Sequence, residues 1–176
     1  GKAIALEYAK VGAKIVVASR NMENLEKTVA EIRALGRPAI AVQTDIRSTD
    51  MISNLVHQTM NEFGRVDILV NNAAGRFNVP SENLSEGGWL SVVNIVLNGT
   101  WFMSQEVGKV MIEQGGSNII NIISNSPWLG QAYSVHSASA KSGVLGMTKS
   151  LAAEWGKYNI RINGIAPVAR VERGSI

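Results

Sequence analysis

The segment that most constrains this chain runs from Arg65 to Gly75: Arg-Val-Asp-Ile-Leu-Val-Asn-Asn-Ala-Ala-Gly. Val66, Ile68, Leu69 and Val70 make a short, nearly continuous apolar run, the pattern of a strand covered on both faces rather than one with a wet side. The run stops abruptly at two asparagines and small residues. Such a stop marks the carboxyl end of a buried parallel strand. In an open α/β sheet, ligands settle just beyond those ends, where small side chains let a flat molecule approach the backbone. Taken alone, the same residues also suit a plain strand followed by an Asn/Gly turn.

The flanking sequence gives that strand its company. Residues 1–11 read as a helix on Ile4, Leu6, Tyr8 and Val11, with Gly12 as terminator, and Lys14 to Ala18 reads as a strand. Met22 to Leu35 is an amphipathic helix with Leu25, Val29 and Ile32 on one face, closed by Gly36 and Pro38. Ala39 to Thr44 is a strand ending at Asp45; Ser48 or Thr49 then caps a helix that reaches about Phe63 on Ile52, Leu55, Val56 and Met60. After the central strand comes a loop containing Pro80, a long helix from about Gly87 to Glu113, and a strand from Asn118 to Ser124. A helix from about Ser134 to Trp155 and a strand from Arg161 to Ile165, reaching Pro167, complete the pattern.

Strands alternating with helices imply right-handed crossovers and a parallel sheet with helices on both faces. The expected class is therefore α/β, a doubly wound parallel sheet forming one dinucleotide-binding domain over residues 1–176. In that fold a first strand lies mid-sheet, and the Gly-rich turn after it holds a pyrophosphate at a helix N-terminus. Neither is present. The sequence is expected to be incomplete at both ends, starting at the last glycine of that turn, Gly1. The alternative, a gap in the sheet, would leave strand edges and apolar faces uncovered. Residues after Pro167 show no clear period.

Composition narrows the function. With 45% apolar and 18% charged residues, 176 residues can bury one core. The absence of cysteine excludes a disulfide framework and thiolate metal ligands, and fits a cytoplasmic location. The two histidines, His57 and His136, argue against a histidine-built metal site, and both read as surface or capping side chains. The net charge of +3 is scattered without the basic run that nucleic acid needs, and no apolar run is long enough to cross a bilayer. The mild positive balance suits a phosphorylated cofactor or substrate without demanding one.

Two groups of residues could carry chemistry. Beyond the second strand stand Ser19 and Arg20, where a dinucleotide fold uses an acid to hold a ribose or a base to hold a 2′-phosphate. An arginine without an acid favours NADP(H); outside such a fold Arg20 is a solvated loop residue. Asp45 is placed to contact adenine or to cap a turn. The second group is Ser124, Tyr133, His136, Ser137, Ser139 and Lys141. Ser124 stands at a strand end, and Ser137 and Lys141 share one helix face. Such a lysine can bind ribose hydroxyls and lower a neighbouring acid's pKa, or serve simply as a solvated charge.

Asn71-Asn72-Ala73-Ala74-Gly75, the strand ending at Ser124, and Lys141 on its helix resemble the Rossmann-type short-chain dehydrogenase/reductase family, from Gly1 to Pro167. In the family's main branch a tyrosine stands four residues before the lysine as general acid/base. Here that position is Ser137, thirteen residues after Ser124, and the helix asparagine of the main branch falls at Val96. Ser137-Ala-Ser-Ala-Lys141, Lys149 to Tyr158 and Ile95 to Thr100 resemble the 2,4-dienoyl-CoA reductases of that family. The resemblance implies NADPH-dependent reduction of a conjugated dienoyl thioester in unsaturated fatty acid degradation, with an acyl-CoA as small-molecule substrate.

That subgroup holds the thioester oxygen with a tyrosine and an asparagine, which fall here at Ser126 and Arg76. Ser124, Lys141, Tyr133, Ser137 and Arg76 are thus the implied catalytic set, with Tyr133 as an acid from a shifted position. The implied cofactor contacts are Gly1, Ser19, Arg20, Asp45 and Ile46, then Asn72, Ala73, Ala74 and Gly75, then Lys141 and Pro167. Val168 replaces the glycine that follows the proline in the family. The family also builds dimers or tetramers on the helices at 87–113 and 134–156, so a homo-oligomer is expected, with Trp89, Trp101 and Trp155 as interface anchors or core. An ordinary carbonyl reductase and a non-catalytic NADP(H)-binding protein are the rival readings.

Overall fold

In the computed structural model, residues 1–167 are described. Strands β1 (Ile15–Ser19) and β2 (Ala39–Gln43) form one parallel pair, and β3 (Ile68–Asn71), β4 (Ser117–Ile122) and β5 (Ile160–Ile165) form a parallel sheet in that order. β1 and β3 are not paired with each other, so the sheet is in two parts.

Helices α1 (Lys2–Lys10) and α2 (Met22–Ala34) cover one side of the β1–β2 pair. Ala9, Val29, Ile32 and Ala39 form that core, with Ile15 and Val17 against it. Because side chains alternate along a strand, Val16 and Ile40 face the other side and join the main core. There α3 (Thr49–Phe63), α5 (Gly99–Glu113) and α7 (Val135–Trp155) pack Ile52, Leu55, Met103, Val107, Met111, Leu151 and Trp155 onto Leu69, Ile119, Ile160 and Ile162. The opposite faces of β3, β4 and β5 present Val70, Ile120, Ile122 and Ile165. With Ala3, Ile4, Tyr8 and Val11 of the α1 region, these line an apolar groove of about 540 Å³.

Local chemistry explains most boundaries. Ser48 caps α3 by accepting from the Met51 amide at 3.3 Å, and Gly12 and Gly36 close α1 and α2 at φ +104° and +73°, where a side chain would be strained. Two boundaries differ from the sequence reading. β4 ends at Ile122 rather than Ser124, because the chain turns there into the short helix α6 (Ser126–Leu129), with Pro127 in its first turn. The long helix is interrupted: α4 (Glu86–Val93) leads through a π turn at Asn94–Asn98 into α5. The wider turn is bridged by Asn98 Nδ2 donating to Asn94 Oδ1 at 2.8 Å. It leaves Val96 buried in the core beside α7 and seats Gly99 against Ile46, where a Cβ would lie 2.7 Å from Ile46 Cγ1.

Among the described residues no helix is long and apolar enough to cross a membrane. Of the three tryptophans considered as anchors, Trp155 is core. A Cβ at Gly108 would lie 2.5 Å from its ring, whereas one at Gly146 of α7 meets nothing within 4 Å. Gly108→Ala is therefore expected to lower unfolding stability by about 1–3 kcal/mol. Gly146→Ala should raise it by about 0.5–1 kcal/mol. Urea titration of both variants checks the contrast.

Candidate active site

Parallel strands end on one edge, and the residues singled out in the sequence gather at those ends. In the β1–β2 pair, the Thr44 amide donates to the Ser19 carbonyl at 2.8 Å and Gln43 Nε2 to the Arg20 carbonyl at 2.9 Å, tying the two strand ends together. Arg20 is exposed, and its guanidinium has no hydrogen-bond or ion-pair partner among the described residues, although its charge acts on Asp45. Ile46 is half-buried beside Gly99. The Asp45 carboxylate is taken by Arg47: Oδ1 accepts from the backbone amide at 3.0 Å and from Nε at 2.9 Å, and Oδ2 accepts from Nη2. That guanidinium pulls the Asp45 pKa down to about 2, helped by the charge of Arg20.

In the larger sheet, Asn71 ends β3 and lies opposite Asn121 of β4. Gly1 abuts the next residue: a Cβ there would be 3.2 Å from Asn72 Nδ2, a tight contact that the amide would have to yield to by a few tenths of an ångström. Ala73 and Ala74 are exposed, and Gly75 lies against Ile95. Ser124 lies two residues past β4, and its hydroxyl is 2.6 Å from that of Ser126. Lys141 of α7 is buried and donates to the Ile122 carbonyl, which anchors its ammonium beside the same strand end. Burial pushes its pKa below the ordinary lysine value. Ser137 is half-buried one turn earlier on α7.

Two sequence-predicted residues sit at the rim. Arg76 is exposed without a side-chain partner among the described residues, and Tyr133 is 60% exposed, its backbone at φ +61°. A non-glycine residue in that region is strained, a feature that concentrates at functional sites. Pro167 is exposed at the end of the described residues, and Val168 lies outside them.

Three features escaped the sequence reading. Ser126, named only as the position of the subgroup's tyrosine, is buried with its hydroxyl directly against that of Ser124, a pairing the sequence does not show. Its position just before Pro127 at the start of a helix was the available signal. His136 is neither a cap nor a surface residue. It is fully buried, both ring nitrogens lack hydrogen-bond partners among the described residues, and burial pushes its pKa below the ordinary value. Asn71 and Asn121, polar within apolar strands, form a buried network: Asn71 Nδ2 donates to Asn121 Oδ1 at 2.9 Å and to Ser104 Oγ at 3.0 Å, and Asn121 Nδ2 donates to Thr148 Oγ1 at 2.9 Å. His57, read as a surface residue, is exposed on α3 beside Asn61. Among the described residues no cluster of His, Cys, Asp and Glu could hold a metal ion.

Residues 1–170 match the short chain dehydrogenase family. The chain belongs to that family. It is 44% identical over 169 residues to a probable 2,4-dienoyl-CoA reductase [(2E)-enoyl-CoA-producing] of Bacillus subtilis, covering 95% of this chain and 66% of the relative. It is 41% identical over 170 residues to a probable 2,4-dienoyl-CoA reductase [(3E)-enoyl-CoA-producing] of Caenorhabditis elegans, covering 95% of this chain and 55% of that one. The chain thus spans between about half and two thirds of these relatives. A crystal structure of a short chain dehydrogenase from Bacillus anthracis superposes with a TM-score of 0.91 at 50% identity, over 95% of this chain and 70% of the other.

The Asp45–Arg47 pair gives a signed test within this family framework. A carboxylate with a depressed folded-state pKa stabilises above its unfolded value near 3.8, and that contribution is lost as pH falls through about 2. The stability difference between wild type and Asp45→Asn should be constant from pH 7 to about 5 and shrink towards zero as pH falls from about 4 to 2. It should also narrow in high salt, since Arg47 is partly exposed. Urea midpoints across that range provide the check.

Proposed function

We propose that this chain serves an NADP(H)-dependent oxidoreductase that reduces the conjugated double bond of a 2,4-dienoyl-CoA. The observation that carries this reading is the arrangement around Lys141: the half-buried serine one turn earlier is Ser137, where a tyrosine would serve carbonyl reduction, and the nearby strand end holds the Ser124–Ser126 hydroxyl pair. The names of the two relatives above agree with it.

The residues present fit a phosphorylated nicotinamide dinucleotide. Arg20 has an uncommitted guanidinium for a 2′-phosphate, with Ser19 beside it and Asp45 and Ile46 at the neighbouring strand end for adenine. Gly1 and Asn72 to Gly75 give a backbone path without bulk. Only the Ile122 carbonyl accepts from the Lys141 ammonium among the described residues, which leaves donors for the ribose of the nicotinamide half, supported by Ser137. Pro167 is assigned to the nicotinamide end. Bound, the cofactor would supply the hydride.

The protein's own task is to hold the thioester oxygen as negative charge develops on it. Ser124, oriented by Ser126, and the cationic Arg76 are the donors assigned to that oxygen. Tyr133 is assigned the proton that completes the product. We further assign the protein a cytoplasmic location and homo-oligomeric assembly through the helical faces of α4, α5 and α7. Activity as a carbonyl reductase is the second reading, favoured by the strained backbone that presents Tyr133 to solvent.

NADPH oxidation followed in parallel with 2,4-hexadienoyl-CoA and a simple ketone separates these readings. Turnover of the diene alone is expected; turnover of the ketone alone, abolished in Tyr133→Phe, would support the second. Ser124→Ala should cut kcat on the diene by about 10²- to 10³-fold, the usual loss of one oxyanion donor. Arg20→Ala should raise the KM for NADPH about tenfold and leave that for NADH unchanged, as expected for loss of one charged phosphate contact.

A further inference from the structure

Residues 72–80, which carry Arg76, form neither helix nor strand. Three contacts fasten this loop to the start of α7. The Val79 amide donates to the Tyr133 carbonyl at 2.9 Å, Ser134 Oγ donates to Asn78 Oδ1 at 3.3 Å, and the Phe77 ring lies 4.4 Å from the His136 imidazole, tilted by 47°. Phe77 also rests on α4, where a Cβ at Gly88 would stand 3.1 Å from its ring. Ser134 and His136 are fully buried, while Phe77 is 41% exposed. The fixed side of the contact is therefore α7, and the movable side is the loop.

The choice of imidazole is informative. Both nitrogens of His136 are buried without a hydrogen-bond partner among the described residues, so this ring bears a desolvation cost that a phenyl ring would not. A phenyl ring at the same place would hold Phe77 more firmly. The histidine closes the loop with part of the stacking energy cancelled, which keeps the contact reversible.

We infer that His136 is a positioning residue: through Phe77 it latches the loop bearing Arg76 against the turn bearing Tyr133, with a strength low enough for substrate to enter and product to leave. The inference rests on the reading of Arg76 and Tyr133 as substrate-facing groups, but the latch itself is measurable without substrate. Its readout is hydrogen exchange at the Val79 amide, with the Ile119 amide of central strand β4 as an internal reference for global stability.

Phe77→Ala, a change at a partly exposed ring, should speed Val79 exchange by about three- to tenfold, as for the loss of one aromatic contact, and leave Ile119 unchanged. His136→Phe should slow Val79 exchange below the wild-type rate. In steady-state kinetics Phe77→Ala should raise the KM for 2,4-hexadienoyl-CoA, and His136→Phe should lower kcat and KM together as opening becomes limiting, with NADPH affinity unchanged in both. Equal Val79 exchange in all three proteins overturns the latch, as does acceleration of Ile119 alongside Val79 in Phe77→Ala. A wild type inactive on the diene, with the exchange order intact, overturns the assigned reaction and leaves the latch standing.

Discussion

The site depends on a buried set of amides and hydroxyls that locks the carboxyl ends of β3 and β4 together. Asn71 and Asn121 lie opposite each other in the ladder, and Asn121 is in turn opposite Gly164 of β5. Their side chains bridge the two strands, reach Ser104 on α5 and Thr148 on α7, and those hydroxyls return their own protons to the Thr100 and Val144 carbonyls. Two strands and two helices are thus joined by directional bonds where apolar packing alone would allow slippage. An interior amide left unpaired costs about 1–3 kcal/mol, so a misregistered pairing of these strands is penalised at several atoms at once. Asn71 Oδ1 is the one side-chain oxygen of the set left without a partner among the described residues.

Rigid strand ends make short reach possible. Asn72 follows directly from Asn71, and Ser124 stands three residues beyond Asn121, so both inherit the register of the network. Lys141 is drawn to the same edge by the Ile122 carbonyl. Arg20, Arg76 and Lys141 give this edge a positive character that the overall charge of +3 only hints at. Arg47, the remaining arginine at the β2 end, is neutralised by Asp45. A positive edge of this kind is the electrostatic setting that phosphates and developing oxyanions favour.

Much of this was legible in the chain. The apolar run before Asn71, the glycines after α1 and α2, the serine cap at Ser48 and the heptad-like spacing of Val144, Met147, Leu151 and Trp155 each depend on neighbours close in sequence, and each element formed where expected. What was not legible depends on packing between distant segments. The π turn at Asn94–Asn98 serves contacts with Ile46 and α7 that no helical periodicity encodes. His136 reads as a helix-start polar residue until Phe77, from a loop nearly sixty residues earlier, covers it. Ser126 is legible as the position of the subgroup's tyrosine, but its contact with the Ser124 hydroxyl is not.

That hydroxyl pair also bears on which reaction the site can favour. A tyrosine beside a lysine can be tuned into an acid that protonates a ketone oxygen, because a phenol ionises at a pH an ammonium charge can bring within range. An aliphatic hydroxyl cannot be tuned that far. It can still donate hydrogen bonds, and when one serine donates to the next, the second hydroxyl is turned outward with its own proton available. Such a pair stabilises an oxygen that becomes negative and remains so through the slow step, as a thioester oxygen does when hydride adds at the far end of a conjugated diene. A ketone reduced at the carbonyl carbon needs its proton at once on that same oxygen. On the proposed reading, a serine at position 137 with a serine pair at Ser124 and Ser126 suits holding a charge better than delivering a proton, and proton delivery would then fall to a group farther out, the role proposed for Tyr133.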